Sequence, residues 1–453
     1  GLGGASVLAL VPGCAGAAYS AGTQPVSLSP DELLDQIAYA MLEHEPGRAT
    51  GLGVDTGQYA AWRGTFGKVG QDAQDSYAAT LRWALDQVRA YPKEGLTPDQ
   101  STGFDVVESC FSKSLEGMAL PYGDVAVGSW RNAPYLVIQN VGGYIDYPRF
   151  FDATQPVRDT QDVDFYVSRV SEVPNVLDGE TRRIKEARAM GVVPPDFLLD
   201  KAIAQMESAI AGAKQSYAGP LAGADPDGAG RGASQVERIV SNEIVPALDR
   251  QLAELKAQRA VATSDAGMWA RPEGDQWYNW ALGASTTTSM TADEIHEQGL
   301  AELDELHGRM DPILKEIGYT QGTVGERMQA LSEDPRYKFA EGDPGRKQIM
   351  EFIGEQVDWI KAQMPRAFNQ LVDPPLEVRR IPIAEEPGAP GAYGGAGSKD
   401  GSIPGRFWIN LRTTDLHRKY DLPDLTFHES IPGHVWEGEF SNRLPLIRSI
   451  LAF

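Results

Sequence analysis

Apolar residues recur at helical spacing through most of this chain. Leu33, Leu34, Ile37, Met41 and Leu42 fall on one face of a segment that opens at Pro30, with Asp31 and Glu32 in its first turn, so a helix is predicted there. Further helices are predicted from about Asp72 to Tyr91, ended by Pro92, and from Pro98 through Leu115. Three more run from Gln161 to Val173, Asn175 to Met190 and Phe197 to Ala211, with Pro174 and Gly191 to Pro195 as corners between them. Val236, Ile239, Val240, Ile244, Leu248, Leu252 and Leu255 share a face from Ser234 to Ala260, a helix that Pro246 should kink. Thr291 and Glu294 form a capping box for a helix to about Ile317. Asp343-Pro344 opens another, with Ile349, Phe352, Ile353, Val357 and Met364 on its inner face.

The period changes in three places. Tyr135 to Gln139 is short and β-like, and Gly142-Gly143 and Tyr147-Pro148 mark a loop after it. Leu376 to Ile383 alternates like a strand, as does Arg406 to Leu411, and a Gly-rich connection from Gly388 to Gly405 joins them. They predict a small antiparallel sheet whose edge, at Arg406 to Leu411, pairs with an extended peptide. The Gly- and Pro-rich stretch 219–232 is a surface loop or a subdomain boundary, and similar helical pattern on both sides favours the loop.

At 453 residues and 42% hydrophobic, the chain has ample material for a large core. Lys and Arg number 41 against 63 Asp and Glu, a formal charge of −22 that repels phosphate backbones, so nucleic acid is excluded as a partner. Gly1 to Val11 is an uncharged run of small and apolar residues, too short to span a bilayer, and small residues follow it. Residues 1–20 therefore read as the remnant of a signal peptide or lipoprotein leader. Val11-Pro12-Gly13-Cys14 resembles a lipidation box at Cys14. The expected location is the cell envelope or the extracellular space, with a lipid on Cys14 as the sole membrane contact. Cys110 is the other cysteine; with Cys14 lipidated or removed, no intramolecular disulfide forms and Cys-rich zinc modules are excluded.

Chemistry concentrates in Phe427-His428-Glu429-Ser430-Ile431-Pro432-Gly433-His434. Histidine is scarce, six in all, and two at close spacing with a carboxylate beside the first match the first shell of a hydrolytic zinc site. The imidazoles of His428 and His434 would hold Zn²⁺, and Glu429 would take a proton from the activated water. A spacing of six residues places the rings about 240° apart on an ideal helix. The helix expected from Pro423 toward Phe440 must therefore break near Pro432, which removes a hydrogen bond, and Gly433, which tolerates positive φ. Glu437 and Glu439 are candidates for a third ligand, though a helix-surface role suits Glu437 as well. His44 reads as a helix end, His296 and His307 as surface or packing residues, and His417 as solvated or behind the ligands.

These residues resemble the bacterial domain-of-unknown-function family with an H-E-x-x-P-G-H motif, which is similar to gluzincin-type zinc peptidases of mostly helical fold. Besides the motif, the resemblance runs through Asp162-Val163-Asp164-Phe165-Tyr166 with Arg169, Gly191 with Pro194-Pro195, Trp269 to Gly274, Thr291 to Gly299, Val378-Arg379-Arg380, and Asp400-Gly401 through Asn410. It implies that His428 and His434 bind zinc, that Glu429 is the general base, and that a further Glu lies in a downstream Glu-Gly-Trp-like segment. No such segment precedes Phe453, so the expectation is a chain lacking a C-terminal part.

The resulting expectation is a mainly α protein: one large multi-helix zinc-peptidase-like domain over residues 21–453, with a small sheet next to the metal motif. Its expected activity is peptide hydrolysis with zinc as cofactor, Glu429 as catalytic base, and Phe407, Trp408 and Asn410 as substrate-binding residues. An exported peptide-binding pseudo-peptidase, a zinc hydrolase of another substrate class, and purely structural histidines stay open.

Overall fold

Ser29, Thr97, Thr291 and Thr323 each accept the backbone N–H three residues on, while Glu32, Gln100, Glu294 and Glu326 bond back to the cap's own N–H. Two donors that a helix start leaves orphaned are thereby satisfied each time. The computed structural model describes residues 28–451 except 68–69, 129–131, 225–226, 228 and 384. The leader expected over residues 1–20, including Cys14, lies outside the described residues.

The chain is mainly helical, with one small sheet near its end. In order, the helices are α1 (Pro30–Leu42), α2 (Pro46–Leu52), α3 (Gln71–Ala90), α4 (Pro98–Met118), α5 (Gly143–Ala153), α6 (Thr160–Ala189), α7 (Asp196–Gly223), α8 (Ala229–Ile239) and α9 (Val245–Arg259). They continue with α10 (Gly274–Thr286), α11 (Ala292–Glu316), α12 (Val324–Glu333) and α13 (Gly342–Ala367). Strands β1 (Leu376–Arg380), β2 (Ala392–Gly395) and β3 (Gly405–Ile409) follow, then α14 (Leu422–Glu429), α15 (His434–Ser441) and α16 (Leu446–Ile450).

Proline proves a poorer breaker than its local chemistry suggests. Pro174 lies inside the continuous α6 instead of at a corner, buried among Val170, Val173 and Leu177. Packing of that face outweighs the roughly 3 kcal/mol that an interior proline costs. The loop expected at Gly142 to Pro148 is instead the start of α5, whose Tyr144, Ile145 and Phe151 enter the core. Tyr135 to Gln139 forms no strand; Ile138 makes an isolated bridge to Val141. Pro246 follows a π-helical turn, Val240–Ile244, that joins α8 to α9 without a break, and this wider turn accommodates the proline inside a continuous helical run.

Three apolar clusters organise the molecule. The largest joins α5 to α9; Leu221, inside the stretch 219–232 expected as a loop, lies on α7, which continues to Gly223, and is buried in this cluster with Val236 of α8. A second joins α1, α3, α4 and α16. The third lies between α13, the sheet and α14 to α15, and carries Ile349, Ile353, Phe407, Ile409, Leu422 and Trp436. Arg169 bridges the first two: wholly buried, it donates to Thr65 O at 2.9 Å, Gln155 Oε1 at 2.6 Å and Thr50 Oγ1 at 3.0 Å. The guanidinium lies against the Phe66 and Phe150 rings at 5.2 and 4.9 Å. Arg169→Met would strand these acceptors in the interior, and urea denaturation should show a loss of at least about 3 kcal/mol.

The sheet has the order β1-β3-β2 and is mixed: β1 runs parallel to β3 and β2 antiparallel to it. Two sequence expectations are corrected here. The sheet is not purely antiparallel, because the long connection returns β3 alongside β1 in the same direction after β2 has formed. β3 is not an edge, because both of its sides are already paired.

Candidate metal centre

α14 ends at Glu429, and the chain turns through Ser430 to Gly433 before α15 starts at His434, so the expected interruption falls at this place. The turn leaves little backbone unsatisfied: Ser430 N–H donates to Thr426 O at 3.0 Å, Gly433 N–H to Phe427 O at 2.9 Å and Trp436 N–H to Ser430 O at 3.0 Å. Pro432 has no N–H to place. Gly433 is needed for a different reason than the one expected. Its φ is −74°, open to any residue, but a Cβ there would stand 1.7 Å from the His428 carbonyl oxygen and 2.6 Å from that of Phe427. Close approach of two backbone segments, not positive φ, demands the glycine.

This turn brings the rings of His428 and His434 to a centroid distance of 4.9 Å at 85°. One ligand atom from each of His428, Glu429 and His434 lies within 4.8 Å of the others. Among the described residues this is the one such group. His428 is exposed, His434 half-buried and Glu429 buried. Oε2 of Glu429 is inaccessible and has no hydrogen-bond partner. Burial pushes its carboxyl above the usual range, against the pull of His434, His428 and the Gly394 amide. Two imidazoles beside a buried carboxylate fit a divalent cation such as zinc, with the carboxylate placed to take a proton from its water rather than to ligate it.

β2 supports this corner. A Cβ on Gly394 would meet Glu429 O at 2.1 Å and Glu429 Oε2 at 3.0 Å, so only glycine lets the end of α14 rest on the strand. The bond from Asn410 N–H to Gly391 O at 2.9 Å sets the phase of the β2–β3 ladder. Ala392 and Gly394 therefore turn their N–H and C=O away from β3, toward the free edge of the sheet beside Glu429.

The predicted substrate residues are dispersed. Phe407 opposes Gly394 in register and is wholly buried beneath the helices. Trp408 points to the opposite face, stacked on Tyr393 at 6.1 Å with Arg379 over it at 5.6 Å. Asn410 is buried and donates to Glu386 O, Ala389 O and Pro390 O at 2.8, 3.3 and 3.1 Å, pinning the connection that leads into β2. Phe407 and Asn410 are thereby committed to the core and to that connection. Trp359, missed in the sequence, is 53% exposed and stacks at 5.7 Å on Phe427, the neighbour of His428. Its place on the outer side of the α13 pattern marked it as surface, and only tertiary contact brings it to the motif.

The remaining candidates separate clearly. Glu437 is exposed and accepts from Ser441 Oγ at 2.7 Å, outside the cluster, and Glu439 is also outside it. His417 is buried rather than solvated; its Nε2 lies 2.7 Å from Asn410 O, and burial lowers its pKa. His44 stacks on Tyr77 at the end of α1, with Nε2 2.9 Å from Thr80 Oγ1, while His296 and His307 are exposed on α11. Cys110 is a free, partly buried thiol whose pKa burial raises.

The sequence profile described as "Bacterial protein of unknown function (DUF885)" matches residues 46–453. The chain belongs to the DUF885 family. Its fold is similar to the crystal structure of a candidate lipoprotein from Colwellia psychrerythraea, with a TM-score of 0.84 at 24% identity over 93% of this chain and 74% of that one. A candidate lipoprotein of unknown function from Shewanella oneidensis is similar at a TM-score of 0.59 and 14% identity, over 94% of this chain and 74% of that one. No curated protein matches the sequence. At these identities the two solved structures establish the shared fold alone. No described helix is long and apolar enough to cross a membrane.

Proposed function

We propose that this DUF885 protein is a zinc-dependent hydrolase of peptide bonds, with His428 and His434 as metal ligands and Glu429 as general base. The observation that carries this reading is the convergence of the three side chains within 4.8 Å across a broken helix, with Glu429 Oε2 left without a partner. Zinc bound there would supply Lewis acidity, activating a water and polarising the scissile carbonyl. Glu429 accepts the proton of the attacking water and passes it to the departing amine. A carboxyl whose pKa burial has raised is better matched to both transfers than an exposed one. The substrate backbone pairs with the outward N–H and C=O of Ala392 and the C=O of Gly394, at the edge of β2 rather than along β3, and Trp359 with Phe427 offers an apolar wall beside His428.

Export to the cell envelope, with a lipid on Cys14, belongs to the same proposal. The leader-like residues 1–20 support it, as does the description of two similar structures as candidate lipoproteins.

Metal analysis of the purified protein tests the reading directly. His428→Ala and His434→Ala should each weaken zinc binding by more than about 100-fold, since loss of even a supporting group behind a ligand costs about 10- to 100-fold. Protein that binds peptides but no zinc, with both variants unchanged in metal content, would make it a binding protein instead.

A further inference from the structure

A second site lies away from the histidines, in a cavity of about 1190 Å³ between α3, the end of α4 and α6. One face of α6 forms its wall: Glu172, Val176, Glu180, Arg183, Ala187 and Met190 follow one another at helical spacing. Glu180 is the deepest charge. It is enclosed by protein yet keeps accessible surface, and its carboxylate accepts from two neutral donors, Gly143 N–H and Gln251 Nε2, each at 3.0 Å. A Cβ on Gly143 would lie 2.4 Å from the Tyr147 ring and 3.2 Å from Glu180 Oε2, which sets that ring beside the carboxylate. Tyr77, also in the wall, stacks on His44, and its hydroxyl is buried beside Glu45, away from the open space.

The cations of the wall do not neutralise Glu180. Arg183 is committed to Asp124 Oδ1 at 3.1 Å and Gly123 O at 2.8 Å, and Arg82 is exposed. A buried carboxylate held by neutral donors alone is costly, and burial raises the Glu180 pKa to about 7. Among the described residues Glu180 belongs to no group of three metal-ligating side chains, so the site lacks the six or more ligands that Mg²⁺ or Ca²⁺ take. Anions are repelled by the carboxylates that outnumber arginines in the wall.

We propose that this cavity binds a small organic cation, its primary ammonium group seated on Glu180 against the Tyr147 ring and its apolar body along Val176 and Leu136. An ammonium supplies the charge that Glu180 lacks, and aromatic walls favour a cation over a neutral isostere. The site is independent of the metal centre.

Calorimetric titration of the whole protein with 1,4-diaminobutane, with 1-butanol as the neutral control, tests this. Saturable binding of the diamine is expected, with none of the alcohol. Glu180→Gln should weaken it by about tenfold or more while zinc content stays unchanged. Should that variant fail to fold, Tyr147→Leu, which removes the ring beside the ammonium and leaves the carboxylate in place, should weaken binding severalfold on its own. No diamine binding by the wild-type protein, equal binding of the alcohol, or undiminished binding by either folded variant would overturn the proposal.

Discussion

Glu429→Gln is expected to lower peptide hydrolysis by about 100- to 10,000-fold, the usual contribution of a positioned general base, while zinc content remains that of the wild type. Glutamine keeps the volume and loses only the ability to take a proton, so the two readouts separate chemistry from metal binding. Full activity in the variant would remove Glu429 from the mechanism. Stability should move the other way. Burial raises the Glu429 pKa in the fold, so the ionised form is disfavoured there relative to the unfolded chain. That cost is absent below the unfolded-state pKa, where both states carry the proton, and it is complete once pH exceeds the raised folded value. Metal-free Glu429→Gln should therefore melt at a higher temperature than metal-free wild type at pH 7, and the difference should vanish toward about pH 4. A site that loses stability to keep a buried base is a common consequence of function.

Gly433→Ala is expected to be the most damaging small substitution at the centre. The added methyl would overlap the carbonyl oxygens of His428 and Phe427 at 1.7 and 2.6 Å, and neither backbone atom can rotate away. The turn between α14 and α15 must open, which separates His428 from His434. A loss of about 2–4 kcal/mol in chemical denaturation should accompany reduced zinc stoichiometry. Gly391→Ala is the matching control: nothing lies within 4 Å of its Cβ position, and its effect should stay within about 0.5 kcal/mol. Equal behaviour of the two variants would mean that the tight turn does not hold the ligands.

The two glycines show how far the motif was legible. His428, Glu429 and His434 stand out by type and spacing, and a spacing of six forces a break that Pro432 and Gly433 announce. That Gly433 is required by a carbonyl pressed against it depends on how the broken ends fold back, which no torsional preference encodes. Gly394 is further from reach. It sits in a Gly-rich connection with no alternation to mark a strand, and its meaning comes from Glu429, distant in sequence and adjacent in space. Phe407 and Asn410 illustrate the converse: neighbours of the motif in sequence, they are spent on the core and on the Glu386 to Pro390 connection.

The sequence by itself determined the helices with apolar faces and capping boxes, the mainly α class, the metal-binding side-chain types and the place where the last long helical pattern must break. These are local properties, set by residues within a few positions of one another. Tertiary structure decided that Pro174 and Pro148 stay inside helices, that β3 is the central strand, that β2 offers its edge to Glu429, and that α6 lines a second cavity with a carboxylate deep in its wall. Each depends on which distant segment supplies the opposing surface. Burial against that surface can outweigh a proline's lost hydrogen bond, and strand pairing settles which edge of the sheet is left open.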